Sequence, residues 1–141
     1  MPPDTTDVAT TIDALTTADI GGRGAIDAIA AAARAQQGPA PAMQAADRLV
    51  EAVAPGETVL VLTGFLIPPA MVPETDGPPG AVALARAIDR ALDATAIIAC
   101  DPAAVEICTA TATAGGLRVL DRATAADTPQ SVAVTPFPAD R

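Results

Sequence analysis

The sequence contains no Trp, Tyr, His or Lys, and Phe occurs only at Phe65 and Phe137. Without His, the chain cannot build Ser-His-Asp or Cys-His catalytic machinery. Because aromatic side chains are nearly absent, a core must be packed from Ala, Val, Leu and Ile. Each of these side chains buries little apolar area, so we expect only modest stabilisation from the core.

Long apolar runs and cysteines are scarce as well. No stretch of about 18 apolar residues exists, which argues against a transmembrane helix. The first seven residues are acidic where a signal peptide is basic, so we expect a soluble, cytoplasmic protein. Two cysteines, Cys100 and Cys108, are too few for a disulfide framework or a zinc site, and we expect both in the core.

Positive charge is also limited, since the eight basic residues are all Arg and the formal net charge is −9. Such a charge repels nucleic acids and anionic membranes, and we expect neither as a partner. The lack of Lys, together with abundant Asp, Ala, Thr and Val, indicates that the gene comes from a high-GC genome. An acidic surface suits a salt-rich cytoplasm, where screening shortens the range of repulsion. A haloarchaeal origin is therefore favoured, with a high-GC actinobacterium as the alternative.

Two buried strands are the strongest pattern that is present. Residues 58–63 and 95–100 are continuous apolar and β-branched runs, which is typical of parallel strands covered on both faces. An amphipathic helix is predicted between them, over residues 80–93, and Asp101 with Pro102 opens another helix. This order predicts a single α/β domain over residues 1–141. It is a three-layer, mainly parallel, Rossmann-like sheet with helices on both faces.

The remaining elements are weaker predictions. Residues 1–7 are expected to form a flexible tail. Residues 109–114 alternate with period two as a strand would, but their Asp-Pro start and Gly-Gly stop favour a helix. Further helices are predicted over residues 8–17, 25–37 and 42–54, and further strands over residues 117–120 and 131–135.

The connection over residues 64–79 is the predicted ligand site. Open α/β sheets bind ligands beyond the carboxyl ends of their strands, and this loop is much longer than an ordinary βα connection. Gly64 permits a tight exit from the strand, and Pro78 and Pro79 restrict the approach to the helix. The first turn of that helix is expected to offer unpaired N–H groups to a carboxylate or phosphate.

Glu74 and Asp76 are the candidate acids, bases or metal ligands of this loop. The plain alternative is that Asp76 caps the helix and Glu74 lies in solvent. Asp101 is either a helix cap or a supporting carboxylate at the same edge. The glycine-rich segment 19–24 lacks the Lys-Ser/Thr ending of a Walker loop. It is either a turn between helices or a support for Arg23, which would then anchor a substrate carboxylate.

Three segments together resemble the C-terminal domain family of D-glutamate cyclases: Thr63-Gly64-Phe65, Glu74-Thr75-Asp76-Gly77-Pro78-Pro79-Gly80-Ala81 and Asp19-Ile20-Gly21-Gly22-Arg23-Gly24. The resemblance runs from about residue 12 to about residue 137. It implies cyclo-dehydration of D-glutamate, an acidic amino acid, to 5-oxo-D-proline and water. Residue type then suggests Glu74 and Asp76 as catalytic groups, with a divalent metal ion on them as one option. The candidate substrate-binding residues are Arg23, Thr63, Gly64, Thr75, Gly77 and Gly80.

The sequence departs from this family in length. Members continue into a second segment rich in Gly, Asp, Asn and Glu, so we expect the chain to be the first half of the family domain. A half-site predicts weak binding of a dicarboxylate and no turnover, and an unpaired sheet edge favours self-association into a homo-oligomer. The competing hypotheses are a non-catalytic binding module for an acidic metabolite or metal ion, and an inactive fragment.

The charge pattern predicts that salt stabilises the fold. We expect the midpoint of thermal unfolding, followed by circular dichroism, to rise as KCl increases from low to molar concentration. The physical reason is that screening weakens the repulsion among acidic groups. A midpoint that stays constant or falls over this range would contradict a halophilic origin.

Overall fold

The structure is a computed structural model that describes residues 5–22, 24–38 and 40–137. The chain divides into two compact units, the first ending at Ala52 and the second beginning at Val53. Within these described ranges, no helix is long and apolar enough to cross a membrane.

The first unit consists of three helices: α1 (Thr5–Thr16), α2 (Ala25–Gln37) and α3 (Pro41–Ala52). Both α1 and α2 contact α3. The buried carboxylate of Asp13 in α1 accepts a hydrogen bond of 3.0 Å from the N–H of Ala42, in the first turn of α3. Helix α1 includes residues 5–7, which the sequence assigned to the tail, and residues 1–4 lie outside the described part.

The glycine-rich segment between α1 and α2 is a turn. Gly22 and Gly24 have φ of +61° and +71°, a left-handed conformation that favours glycine. The Asp19 carboxylate accepts a hydrogen bond of 2.6 Å from the Gly24 N–H and so closes the turn. The predicted turn between helices is therefore confirmed. Arg23 itself lies outside the described residues.

The second unit is built on a parallel sheet. Its strands are β1 (Thr58–Thr63), β4 (Thr95–Cys100), β5 (Arg118–Val119) and β6 (Ser131–Pro136), in the order β1-β4-β6-β5. Strands β1 and β4 pair in register from Thr58 with Thr95 to Thr63 with Cys100. The predicted strands 58–63 and 95–100 are thus confirmed as parallel neighbours, and their carboxyl ends meet at one edge of the sheet.

Helices cover this sheet unequally. Helices α4 (Gly77–Leu92) and α5 (Val105–Ala114) pack on one face and on each other, and a short 3₁₀ turn (Pro102–Ala104) precedes α5. Only the short α6 (Arg122–Ala126) packs on the other face, where Ala125 contacts Ile97 and Ala133. The three-layer α/β prediction is confirmed, and residues 109–114 are helical as expected.

Helix α6 was not predicted. It begins at Asp121, whose carboxylate accepts hydrogen bonds from the N–H groups of Ala123 and Thr124 at 3.1 and 3.0 Å. Hydrogen bonds from Thr124 lower the pKa of this carboxyl. Asp is a favoured helix cap, so Asp121 was the available sequence signal, although five residues are too few for a periodic pattern.

The core of the second unit contains no aromatic side chain among its described residues. Its largest fully buried side chains are Ile88, Ile98, Val132, Pro78, Cys100 and Cys108, and both Phe residues are exposed. The expected aliphatic core is confirmed. Small side chains allow the helices to lie close to the sheet, with little area buried by each residue.

We expect Ile98→Ala to be the most costly simple truncation in the core. Ile98 is fully buried on the central strand β4, and such truncations cost about 2–5 kcal/mol. The control is Ile67→Ala, because Ile67 is partly exposed and its loss should cost less than about 1 kcal/mol. Urea unfolding followed by circular dichroism measures both, and similar losses in the two variants would contradict the assigned core.

Candidate functional site

The candidate site lies where β1 and β4 end. Gly64 follows β1 directly and has φ of +100°. A Cβ atom on Gly64 would lie 2.9 Å from the backbone N of Asp101 and 3.0 Å from the Cβ of Cys100. Only glycine allows the chain to leave β1 so close to the chain that leaves β4. The exits of the two strands are therefore held against each other.

The long connection after β1 is more ordered than a plain loop. It contains a small antiparallel pair, β2 (Leu66–Ile67) with β3 (Val72–Pro73). The N–H of Glu74 donates to the carbonyl of Phe65 at 2.8 Å. The hairpin therefore returns the chain to the end of β1 and places Glu74 beside it.

Helix α4 begins at Gly77, three residues before the predicted start. Pro78 and Pro79 occupy its first turn and carry no N–H, and the Gly80 N–H donates to the Asp76 carbonyl at 3.2 Å. The predicted set of unpaired N–H groups is therefore wrong. Within the described part of the chain, this turn offers the Gly77 N–H alone to a ligand.

Gly77 lies directly against the end of β1. A Cβ atom on Gly77 would come within 2.6 Å of the Thr63 hydroxyl oxygen, whereas a Cβ on Gly80 would meet no atom within 4 Å. Gly77 is thus needed for the close approach of α4 to Thr63. At Gly80 no such contact requires glycine.

Three shallow depressions surround this contact, and Leu62 and Thr63 line all of them. The first, of about 310 Å³, is also lined by Asp76, Gly77 and Gly80. The second, of about 370 Å³, adds Gly64, Phe65, Glu74 and Gly77. The third, of about 230 Å³, adds Gly64, Cys100, Asp101 and Phe137. We call these three the carboxyl-edge depressions.

Six of the eight predicted site residues line these depressions: Thr63, Gly64, Glu74, Asp76, Gly77 and Gly80. Glu74 and Asp76 line different depressions, and Thr63 and Gly77 are common to both. Thr75 is exposed in the same loop and lines none of the carboxyl-edge depressions. Arg23 falls outside the described residues, and its role as a carboxylate anchor stays a prediction.

The acidic side chains of the site divide into two kinds. Asp76 stands at the cap position of α4, but its carboxylate makes no capping hydrogen bond, so the capping alternative is wrong. Glu74 and Asp76 are both exposed, and their carboxylates have no hydrogen-bond or ionic partner among the described residues. The Asp101 carboxylate accepts the Ala103 N–H at 2.9 Å, which confirms it as a helix cap.

The charged side chains that line the site are all acidic. No basic side chain lines the carboxyl-edge depressions in the described part of the chain. Carboxylates without a counter-charge favour a ligand with an ammonium group and repel a second carboxylate. The described residues also include no group of three or more His, Cys, Asp or Glu placed to hold a metal ion.

Sequence reasoning missed Leu62 and Phe137 as parts of the site. Phe137 follows β6, and its N–H donates to the Cys100 carbonyl at 2.7 Å, which holds it next to the end of β4. The available signal was that both aromatic residues of the chain come just after a predicted strand. Phe65 and Phe137 are both exposed, so they flank the site as an apolar rim.

The two cysteines are core residues, as expected. Cys100 and Cys108 are both fully buried. Burial, with the neighbouring Cys108, raises the pKa of the Cys100 thiol to about 12, and burial also raises the pKa of Cys108. Both thiols are protonated at neutral pH, and a protonated thiol is a poor nucleophile.

The fold is a three-layer α/β arrangement on a four-stranded parallel sheet, and the depressions lie beyond the carboxyl ends of its strands, where open α/β sheets bind ligands. The family model described as D-glutamate cyclase-like, C-terminal, matches residues 12–141, so the chain belongs to this family. Comparison with curated proteins and with solved structures found no match in either set.

We expect Gly77→Ala to destabilise the fold by about 1–3 kcal/mol, because the new methyl group overlaps the Thr63 hydroxyl. The matched control is Gly80→Ala, which meets open space and should stabilise the helix by up to about 1 kcal/mol. Removing the hydroxyl with Thr63→Ala should restore much of the loss in a double variant. Chemical unfolding gives the free energy of unfolding of the unaltered chain, Gly77→Ala, Gly80→Ala and the Thr63→Ala/Gly77→Ala double variant. A Gly77→Ala variant as stable as Gly80→Ala would contradict this packing.

Proposed function

We propose that the second unit acts on D-glutamate and converts it to 5-oxo-D-proline and water, as a carbon–oxygen lyase. The observation that supports this most directly is the pair of unpartnered carboxylates, Glu74 and Asp76, on either side of the contact between Thr63 and Gly77. Membership of the D-glutamate cyclase-like family supports the same reaction. We further propose that the protein works in the cytoplasm of a salt-rich cell.

The reaction needs a free amine and an electrophilic γ-carboxyl group. Asp76 or Glu74 takes a proton from the α-ammonium group, and the amine nitrogen then attacks the γ-carboxyl carbon. A C–N bond forms, a C–O bond breaks, and the leaving oxygen departs as water with two protons that began on nitrogen. The carboxylates carry these protons between the two atoms, so the reaction requires no external acid or base.

The developing charge on the γ-carboxyl oxygen needs hydrogen-bond donors. In this proposal, the Gly77 N–H and the Thr63 hydroxyl provide them, because they lie side by side at the end of β1. Donors that are fixed before the reaction stabilise the tetrahedral intermediate without further reorganisation. In this proposal, the close approach of α4 to β1 places two hydrogen-bond donors next to the reacting group, in addition to packing the helix on the sheet.

A binding module without turnover is the second candidate function. The observation that favours it is the exposure of both carboxylates and the lack of a described basic side chain around them. Such a surface holds the ammonium group of an amino acid, but it leaves the two substrate carboxylates unneutralised. Arg23 for the α-carboxylate, and a divalent metal ion beside Glu74 and Asp76, remain hypotheses from the sequence.

Substitution of Asp76 separates the two functions. We expect Asp76→Asn to lower 5-oxoproline formation by at least about 100-fold while the affinity for D-glutamate, measured by calorimetry, stays close to that of the unaltered chain. Asp47→Asn is the matched control, because Asp47 is exposed on α3 in the first unit and the charge change is the same.

Each outcome has a clear meaning. If the unaltered chain binds D-glutamate and forms no product, which is also the result expected of a half-site, the proposal that these residues alone catalyse the reaction is wrong. If it forms product and Asp76→Asn forms it equally fast, the catalytic role of Asp76 is wrong. A chain that binds neither D-glutamate nor its L-isomer contradicts both candidate functions.

A further inference from the structure

Strand β1 has a free hydrogen-bonding edge. It pairs with β4 on one side, and no strand of the described part of the chain pairs with its other side. The Thr95 N–H donates to the Glu57 carbonyl at 2.9 Å, which fixes the alternation of the backbone groups along β1. The N–H and C=O groups of Thr58, Leu60 and Leu62 therefore point away from the sheet.

The two edges of the sheet differ in how they are protected. The opposite edge, β5, is two residues long and carries Arg118. Strand β1 has six residues, its register with β4 is continuous, and it contains no Pro and no charged residue. Short length, charge, Pro and bulges are the usual devices that keep a sheet edge from pairing. Strand β1 has none of them.

The side chains along this edge are apolar. Leu60 is 56% exposed and Leu62 is 67% exposed, and both lie on the sheet face on which α6 packs. Leu60 is in register with Ile97, which is buried, and the depression that Leu60 lines on this face is also bordered by Asp121 and Arg122. A strand that pairs with β1 would cover the two leucines and satisfy the free backbone groups together.

The distribution of charge along the chain bears on whether a second copy can pair with β1. The chain carries a formal net charge of −9, so two copies repel each other over most of their surface. Residues 58–73 contain no Asp, Glu or Arg, and β1 lies at the start of this uncharged run. A second copy that pairs along β1 therefore meets no charged side chain on the strand itself.

We propose that β1 pairs antiparallel with β1 of a second copy, about a two-fold axis perpendicular to the sheet. Leu60 then lies opposite Leu60 of the second copy, and Thr58 lies opposite Leu62 of the second copy. This register joins the outward backbone groups of both strands and keeps all four leucines on one face. The two four-stranded sheets become one continuous sheet, and the two-fold arrangement closes without forming a fibre.

Analytical ultracentrifugation of the full 141-residue chain tests the dimer. We expect a monomer–dimer equilibrium that shifts toward dimer as KCl rises, because salt screens the repulsion between the two copies. Leu60→Lys places two positive charges directly opposite each other and should raise the dimer Kd at least about tenfold. The matched control is Val50→Lys, since Val50 is 62% exposed on α3, and it should leave the Kd unchanged.

A cross-link tests the register independently. Leu60→Cys should form a covalent dimer under mild oxidation with diamide, because opposite Cα atoms in this register are about 5.5 Å apart. Val50→Cys should stay uncross-linked, and the native cysteines are buried. Circular dichroism confirms folding of each variant. A chain that is monomeric at all concentrations and salt levels overturns the proposal. So does a dimer that Leu60→Lys does not weaken or that Leu60→Cys does not cross-link.

Discussion

The parallel pairing of β1 with β4 is the interaction on which the rest of the second unit depends. Its register places Thr63 beside Cys100, so the two strands end at the same level. Gly64 and Asp101 then leave the sheet in contact, which fixes where the hairpin and the 3₁₀ turn begin. A shift of one residue in this register would turn the buried side of β1 outward and separate the groups of the site.

Small side chains are the second constraint, and they act on the core and the site alike. Because the core lacks aromatic residues, α4 approaches the sheet closely enough for Gly77 to lie against the Thr63 hydroxyl. The two Phe side chains that the core does not use lie at the rim of the depressions instead. The composition that limits the stability of the fold therefore also determines the shape of the site.

Strands β1 and β4 and their shared carboxyl edge were predictable from sequence, because buried parallel strands are continuous apolar runs. The start of α4 was predicted too late, because Pro78 and Pro79 are common in loops although the first helical turn accepts them. Because the predicted start was too late, the N–H groups at the start of the predicted helix were expected to be unpaired, whereas the Gly80 N–H donates to the Asp76 carbonyl. Phe137 was missed because its place depends on β6 lying next to β4, and this order is set by tertiary packing.

Leu62 connects the two surfaces of the second unit. It belongs to the exposed apolar edge of β1, and it also lines all three carboxyl-edge depressions. In the proposed dimer, the strand that pairs with β1 lies beside the wall of the site. A ligand that contacts Leu62 then binds monomer and dimer with different affinities, and linkage requires that such a ligand shift the dimer equilibrium by the same factor. If both proposals hold, assembly and ligand binding are linked through Leu62.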